Sequence, residues 1–389
     1  FIWFLLLFFL LNFGQGVLPP LLPPVMGGLG LGFASAGLLG TAFGLTRFLV
    51  DFPAGVLAEK FGVGRIVHIG AALLLTGSAL SALADSLPVM LIARGIAGVG
   101  SGLTVVFSSI YIIRMGAPDG RVRRGNLYEV AAIGGTAVST ILAGEIALRC
   151  GWRWGFALAA FVVFLGWFVA AFWVLPGLGE VIWSEGREDS RRSGEPPKIS
   201  GWTIFILLFM TFSVSVCWSG GITTFLPLYG GKGLGFSSAT VGGAMTIALV
   251  VTALFLFPVG WASDRFGRFR VLIPGFLLLV GATLLLPWTR SVRAYTIVGT
   301  LIALGVTIWW IPPSILAKQF PGGFRGKTAG IYRGVSDSAY VLAPFTVGWL
   351  IDKGGFAWTG AALAGVYSLS IILCLVFFWR SRKNSDGET

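Results

Sequence analysis

Apolar residues fill this chain in long blocks, separated by short polar or Gly/Pro-rich breaks. A helix needs about 20 apolar residues to cross the hydrocarbon of a bilayer. Twelve blocks reach that length and are predicted as membrane-spanning helices: roughly 1–20, 33–55, 66–84, 87–113, 127–148, 154–175, 201–228, 237–260, 270–288, 294–317, 328–350 and 356–379. The first block lacks the basic leader and small-residue cleavage site of a signal peptide, so it reads as a helix. The sequence opens at Phe1, without Met and already inside that block, which implies a cytoplasmic segment before it.

Composition supports lipid as the solvent. Only 11% of residues are charged and 56% are hydrophobic, where an ordinary soluble domain carries about 25% charged residues. The 57 glycines suit membrane helices whose backbones approach closely. The net charge of +12 suggests nucleic acid until its placement is read. With the N-terminus in the cytoplasm, nineteen of the 28 Lys and Arg fall on the cytoplasmic side, six on the outer side, and Arg47, Arg94 and Arg333 inside spans. That bias is the positive-inside pattern. It implies a multi-pass protein of the plasma membrane, the inner membrane of a bacterium, with both termini cytoplasmic. The basic patches then face the cytoplasmic leaflet, with no nucleic-acid partner.

The chain repeats itself. "FPAGVLAEKFGVGR" at 52–65 returns as "FPVGWASDRFGRFR" at 257–270, with six of fourteen positions identical. "GLGFASAGLLG" at 30–40 returns as "GLGFSSATVGG" at 233–243, with seven of eleven identical. Read together, the two matches make the eighth span a copy of the second with two extra residues. The expected architecture is an all-α membrane protein of 12 transmembrane helices. These form two six-helix bundles (1–175 and 201–380) related by a pseudo-twofold axis. The polar linker 176–200 is cytoplasmic, as is the tail 381–389. Two parallel halves of this kind are a transporter plan, with the substrate site between them near the midplane.

These residues carry a resemblance to the major facilitator superfamily over essentially the full chain. Gly55, Leu57, Glu59, Lys60, Gly62 and Arg65 are similar to the family's loop motif between helices 2 and 3; Gly260, Asp264, Arg265, Gly267, Arg268 and Arg270 are similar to its twin between helices 8 and 9. "RGIAGVGSG" from Arg94 resembles the helix 4 motif, and "GWRW" at 151–154 resembles the entry to helix 6. The resemblance implies that Glu59 and Asp264 latch the halves, each near the N-terminus of a helix in the opposite half (helix 11 and helix 5). It also ties Arg94 to proton coupling. One departure is Ser139-Thr140, where drug/proton antiporters of the family carry Gly-Pro on helix 5; helix 11 keeps Ala343-Pro344.

Ionisable residues at membrane depth are costly and point to function. Here they are Arg47 and Asp51 on helix 2, Arg94 on helix 4, Glu129 and Glu145 on helix 5, and Arg333 and Asp337 on helix 11. Asp51, Asp337, Glu129 and Glu145 are the expected proton carriers. Arg47/Asp51 and Arg333/Asp337 are each R-x-x-x-D, which puts both charges on one helix face. Matched depths predict that antiparallel packing sets Asp51 opposite Arg333 and Arg47 opposite Asp337, closing the cytoplasmic side when the outer side is open. The alternative is pairing within each helix. Arg94 is expected to face Asn12 and Gln15 of helix 1, with Glu145 at a reachable depth. Phe225, Trp309 and Trp310 are expected to line an aromatic substrate cavity.

Enzyme motifs are missing. "GGFRGKT" at 322–328 ends like a phosphate-binding loop, but position 321 is Pro and no strand precedes it. Cys150, Cys217 and Cys374 are scattered, with no metal-binding spacing. The sequence therefore predicts a monomeric secondary transporter, not an enzyme, working by alternating access without cofactor or metal. Proton coupling and export of a drug-like or amphiphilic solute are favoured. Uptake or exchange of a small organic anion bound by the membrane arginines is the alternative. A non-transporting receptor or scaffold is the competing class.

Overall fold

The computed structural model describes residues 1–114, 121–176, 201–319 and 327–386, nearly all of them helical and none in a strand. The first half holds α1 (Ile2–Leu29), α2 (Phe33–Phe61), α3 (Val63–Leu83), α4 (Leu87–Arg114), α5 (Arg121–Cys150) and α6 (Trp152–Val174). The second holds α7 (Gly201–Gly233), α8 (Ser238–Phe266), α9 (Arg268–Trp288) and α10 (Val292–Leu316). The helical run Lys327–Asp386 breaks at Gly355, where φ is 75°. It is thus two spans, α11 (327–354) and α12 (356–386). Helices longer than a bilayer is thick and sheathed in exposed Leu and Phe make this a multi-pass membrane protein.

Helix α1 is longer than its hydropathy block predicted. Its second piece, Leu18–Leu29, starts with Pro among its first residues, where a missing N–H costs no hydrogen bond. Pro19 and Pro20 therefore lie within the span instead of ending it, and Pro23 and Pro24 follow inside the helix.

Among the described residues six glycines have positive φ, and they form three pairs: Gly30 with Gly235, Gly62 with Gly267, and Gly151 with Gly355. The members of each pair stand 205, 205 and 204 residues apart, so the same backbone turns recur at corresponding points of the two halves. This corrects the two-residue offset read from the sequence. Helices α2 and α8 are both 29 residues long and start and end 205 positions apart, with no insertion. The glycine-rich stretch before α2 allowed two overlapping alignments. The turn geometry selects Gly30 as the partner of Gly235.

Two seams join the halves: α2 against α11, and α8 against α5. Contacts match from one to the other. Any side chain on Gly37 would run into the Pro344 carbonyl, and any on Gly242 into that of Thr140; Gly348 likewise abuts Phe33, and Gly144 abuts Ser238. Thr41 donates to the Val341 carbonyl at 2.7 Å, and Thr246 to the Ala137 carbonyl at 2.9 Å. Each pair of equivalents is again 204 or 205 residues apart. Glycine lets the backbones approach until hydroxyls reach across, the packing that serves where lipid offers no hydrophobic drive.

Candidate functional site

The symmetry of the seams fails at one level. On the α2–α11 seam, Arg333 Nε donates to Asp51 Oδ2 at 2.9 Å, and an Arg47 terminal nitrogen lies 3.6 Å from Asp337 Oδ1. Both contacts cross between the halves. The pairing within α11 is also present but longer, with Arg333 3.8 Å from Asp337. The acids are the sealed members: the Asp51 and Asp337 side chains are 7% and 4% exposed, Arg47 15% and Arg333 30%.

On the α8–α5 seam, the positions equivalent to Arg47 and Asp51 are Thr252 and Leu256, and the position equivalent to Arg333 is Glu129. Thr252 spends its hydroxyl on the carbonyls of Ala248 and Ala303, and Leu256 packs with Ile133, Ala137 and Leu249. Glu129 thus stands where the other seam has a guanidinium, opposite an aliphatic side chain. It makes no ion pair of its own among the described residues, but it acts electrostatically on both Arg47 and Arg333. Tyr340 lies under Arg47, ring centre 5.4 Å from the guanidinium carbon, and Tyr128 and Tyr332 border the same charges. Among the described residues, the cluster therefore holds three carboxylates against two guanidiniums.

Other expected site residues lie elsewhere. Glu145 sits near the C-terminal end of α5, 44% exposed and 3.3 Å from Arg149 on its own helix, and makes no contact with Arg94 or the cluster among the described residues. Phe225 is fully buried against Tyr229 and Phe356, inside the second half's core rather than on a cavity wall. Asn12 donates to the Phe8 carbonyl and Gln15 to Asn12, which occupies both amides within α1. Arg94 is buried and stacks over the Phe43 ring at 4.8 Å, with no hydrogen bond to α1 among the described residues. Trp309 stacks on Trp218 at 5.6 Å, with its indole N–H sealed and unpartnered, while Trp310 is half exposed. These tryptophans sit on irregular turns: a π-helical stretch of α7 (Cys217–Phe225) and a 3₁₀ stretch of α10 (Val306–Trp310). Such departures from α-helix inside a membrane are tolerated where they are buried in protein or line a cavity.

The loop motifs form the predicted tight turns, with Gly62 at φ 88° and Gly267 at φ 94°. Lys60 and Arg65 are exposed beside the first. In the second, Asp264 is exposed, Arg265 lies 5.3 Å from the Trp261 ring, and Arg268 donates to the Ser314 carbonyl. Gly260 has open space beside it. The packing of Gly55, the side chain of Glu59, the start of α11 where that acid would latch, and the linker all lie outside the described residues.

One contact had no forecast. Asp352, near the C-terminal end of α11, accepts hydrogen bonds from the backbone N–H groups of Phe33 (3.3 Å) and Ala34 (2.8 Å), the first residues of α2. The α2 N-cap is Gly32, which has no side chain; the equivalent Ser237 of α8 caps its own helix at Thr240. A capping position without a capping side chain was the available signal. The C-terminal parts of α1 and α7 also touch, Pro23 against Gly231. The Asp352 contacts lie at the opposite end of the α2–α11 seam from the ion pairs.

The comparisons with known proteins follow this geometry. A family profile described as Major Facilitator Superfamily matches residues 4–245 and again 231–389. The chain is 22% identical over 373 residues to the arabinose-proton symporter of Bacillus subtilis (strain 168), covering 83% of this chain and 78% of that protein. Among solved structures, a mutant of the nucleoside transporter NupG superposes with a TM-score of 0.76 at 14% identity, covering 97% of this chain and 98% of that one. The human organic anion transporter MFSD10 (TETRAN) does so with a TM-score of 0.69 at 20% identity, covering 96% and 98%.

Proposed function

This chain belongs to the Major Facilitator Superfamily, and from that premise we propose that it is a proton-coupled secondary transporter that exports a drug-like or amphiphilic solute by alternating access. The observation that carries the coupling is the charge imbalance across α2, α5 and α11. Three carboxylates meet two guanidiniums among the described residues, so one acid is left over, and Glu129 is the one without an ion pair of its own. A charged cluster resists being sealed from water, because each uncompensated charge at membrane depth costs several kcal/mol. One proton, on Glu129, Asp51 or Asp337, makes the cluster neutral. The neutral cluster can close; the charged one favours the state in which water reaches it. That dependence links proton movement to the alternation of the two seams. Trp218, Trp309 and the tyrosines around the cluster supply apolar and aromatic contact for the solute, on the irregular stretches of α7 and α10.

A thermal-shift screen of the purified protein against a compound library identifies binders, and counterflow in proteoliposomes identifies which are transported. Wild type is expected to accumulate a transported compound against its gradient when a pH gradient is imposed. Glu129→Gln is expected to exchange the compound at equal concentrations but not to accumulate it. If Glu129→Gln, Asp51→Asn and Asp337→Asn each still accumulate it, the cluster does not couple protons. If no binder exchanges, the transporter reading is wrong.

A further inference from the structure

Three arginines lie at membrane depth, and two are matched by acids. Arg94 is not. The residue is only 4% exposed, its Nε is sealed without a partner, and no hydrogen bond or ion pair reaches its guanidinium among the described residues. No acidic side chain lies within ion-pair distance of it among the described residues, whereas Arg47 stands 3.6 Å from Asp337 and Arg333 2.9 Å from Asp51. Its single neighbour of note is the face of Phe43, 4.8 Å below the guanidinium. A cation–π contact of this kind offsets little of the cost of dehydrating a full charge.

Helix packing holds the residue there. Gly95 and Gly98 on α4 bring that helix against α2: Thr46 donates to the Gly95 carbonyl at 2.7 Å, and a side chain on Gly98 would strike Thr46 and the Phe43 carbonyl. The guanidinium cannot withdraw to the surface by a small backbone shift. The terminal nitrogens remain able to donate, and none is bound among the described residues.

We propose that Arg94 is the anion subsite of the transported solute: its guanidinium takes a carboxylate or sulfonate, and the Phe43 ring lies beside the solute's apolar body. The class of substrate is therefore an amphiphilic organic monoanion. This rests on the transporter reading and deepens it. A planar fork of donors suits a two-oxygen anion, and a single uncompensated charge calls for one negative charge on the ligand. The empty site keeps its charge unpaired, which destabilises the unloaded protein and favours binding.

The test uses the full chain in detergent, followed by thermal denaturation. The probes are 1-naphthoate and naphthalene-1-sulfonate, the neutral 1-naphthamide and the cationic 1-naphthylmethylamine. Wild type is expected to show a concentration-dependent rise in its thermal midpoint with either anion and none with the amide or the amine. Arg94→Gln is expected to lose that response, and Arg94→Lys to keep part of it. Without ligand, Arg94→Gln is expected to melt at a higher temperature than wild type, because an unpaired buried charge has been removed. A residue serving only structure would give a lower one. Three outcomes overturn the proposal: no preference for the anions in wild type, an unchanged anion response in Arg94→Gln, or a ligand-free midpoint for Arg94→Gln at or below wild type. These readouts are independent of the proton-coupling test. A Glu129→Gln variant that still couples protons leaves the Arg94 result standing, and a negative anion panel leaves the transporter reading standing.

Discussion

Replacing Arg333 by Gln removes the 2.9 Å bond to Asp51 and leaves that carboxylate, 7% exposed, with only the more distant Arg47 for compensation. Replacing Asp51 by Asn does less harm. Arg333 is 30% exposed and keeps Asp337 at 3.8 Å, so water and a second acid take up its charge. Removing one partner of a fully buried pair costs about 3–5 kcal/mol, and an exposed pair is worth about 0.2–1 kcal/mol. Arg333→Gln should fall near the lower end of the buried range, about 3 kcal/mol, and Asp51→Asn between the two, about 1–2 kcal/mol. The loss bears on the end of the α2–α11 seam that holds the ion pairs, because the pair bridges the halves there. Each ~1.4 kcal/mol shifts a two-state population about tenfold toward the state in which that end is open. The charge swap Asp51→Arg with Arg333→Asp restores an opposite pair. It also sets the new arginine one turn from Arg47 and the new aspartate one turn from Asp337, and like charges at that spacing repel. The swap should therefore recover only part of the loss. Spin labels on Val56→Cys and Ile331→Cys, both exposed positions, with Cys150 replaced, report the separation of the two helices, and counterflow reports turnover. The expected order is wild type, swap, Asp51→Asn, then Arg333→Gln, for both closure and turnover, with a favourable coupling energy in the double-mutant cycle. A swap no better than Arg333→Gln, with label distances unchanged in the single variants, would show that the pair does not hold the seam.

Other outcomes follow from contacts at the seams. Asp352→Ala removes the only side-chain cap at the start of α2 among the described residues; a cap is worth about 1 kcal/mol, so the ends of α2 and α11 that it joins should separate more often, seen as faster labelling of a cysteine at Ser35. Asp352→Asn, which keeps an acceptor oxygen, should retain most of the closure. Gly44→Ala places a methyl group against the Tyr340 backbone, and overpacking of this kind costs about 1–3 kcal/mol, so the thermal midpoint should fall while Gly243→Ala, at an open position, leaves it unchanged. For orientation, cysteines at positions 190 and 385 should react with a membrane-impermeant maleimide only from the cytoplasmic side, and one at position 353 only from outside; outer labelling at 190 would overturn the two-half assignment.

The sequence alone determined everything that depends on local composition and spacing. Blocks of apolar residues long enough to cross lipid set the spans, the Lys and Arg bias set the expected orientation, and a charged turn written twice announced the duplication. The four-residue spacing of Arg47 with Asp51 and of Arg333 with Asp337 also put each pair on one face, which narrowed the possible partners. Spacing could not choose among them, because a charge one turn away and a charge across the seam are both within reach. That choice depends on how closely α2 and α11 approach, which the tertiary contacts of Gly37, Gly40 and Gly44 decide. The same holds for the repeat: two alignments of a glycine-rich turn look alike as letters, and only the positive φ at Gly30 and Gly235 separates them. The sequence marks Glu129 as a carboxylate at membrane depth, but its place at the position equivalent to Arg333, on the seam that holds Leu256, follows only from the match between the halves. Phe225 and Glu145 were misplaced because hydropathy gives the depth of a residue in the membrane but not the direction its side chain takes around the helix. The unmatched state of Arg94 belongs to the tertiary structure as well, since being without a counter-charge depends on every helix packed around a residue and not on the one that carries it.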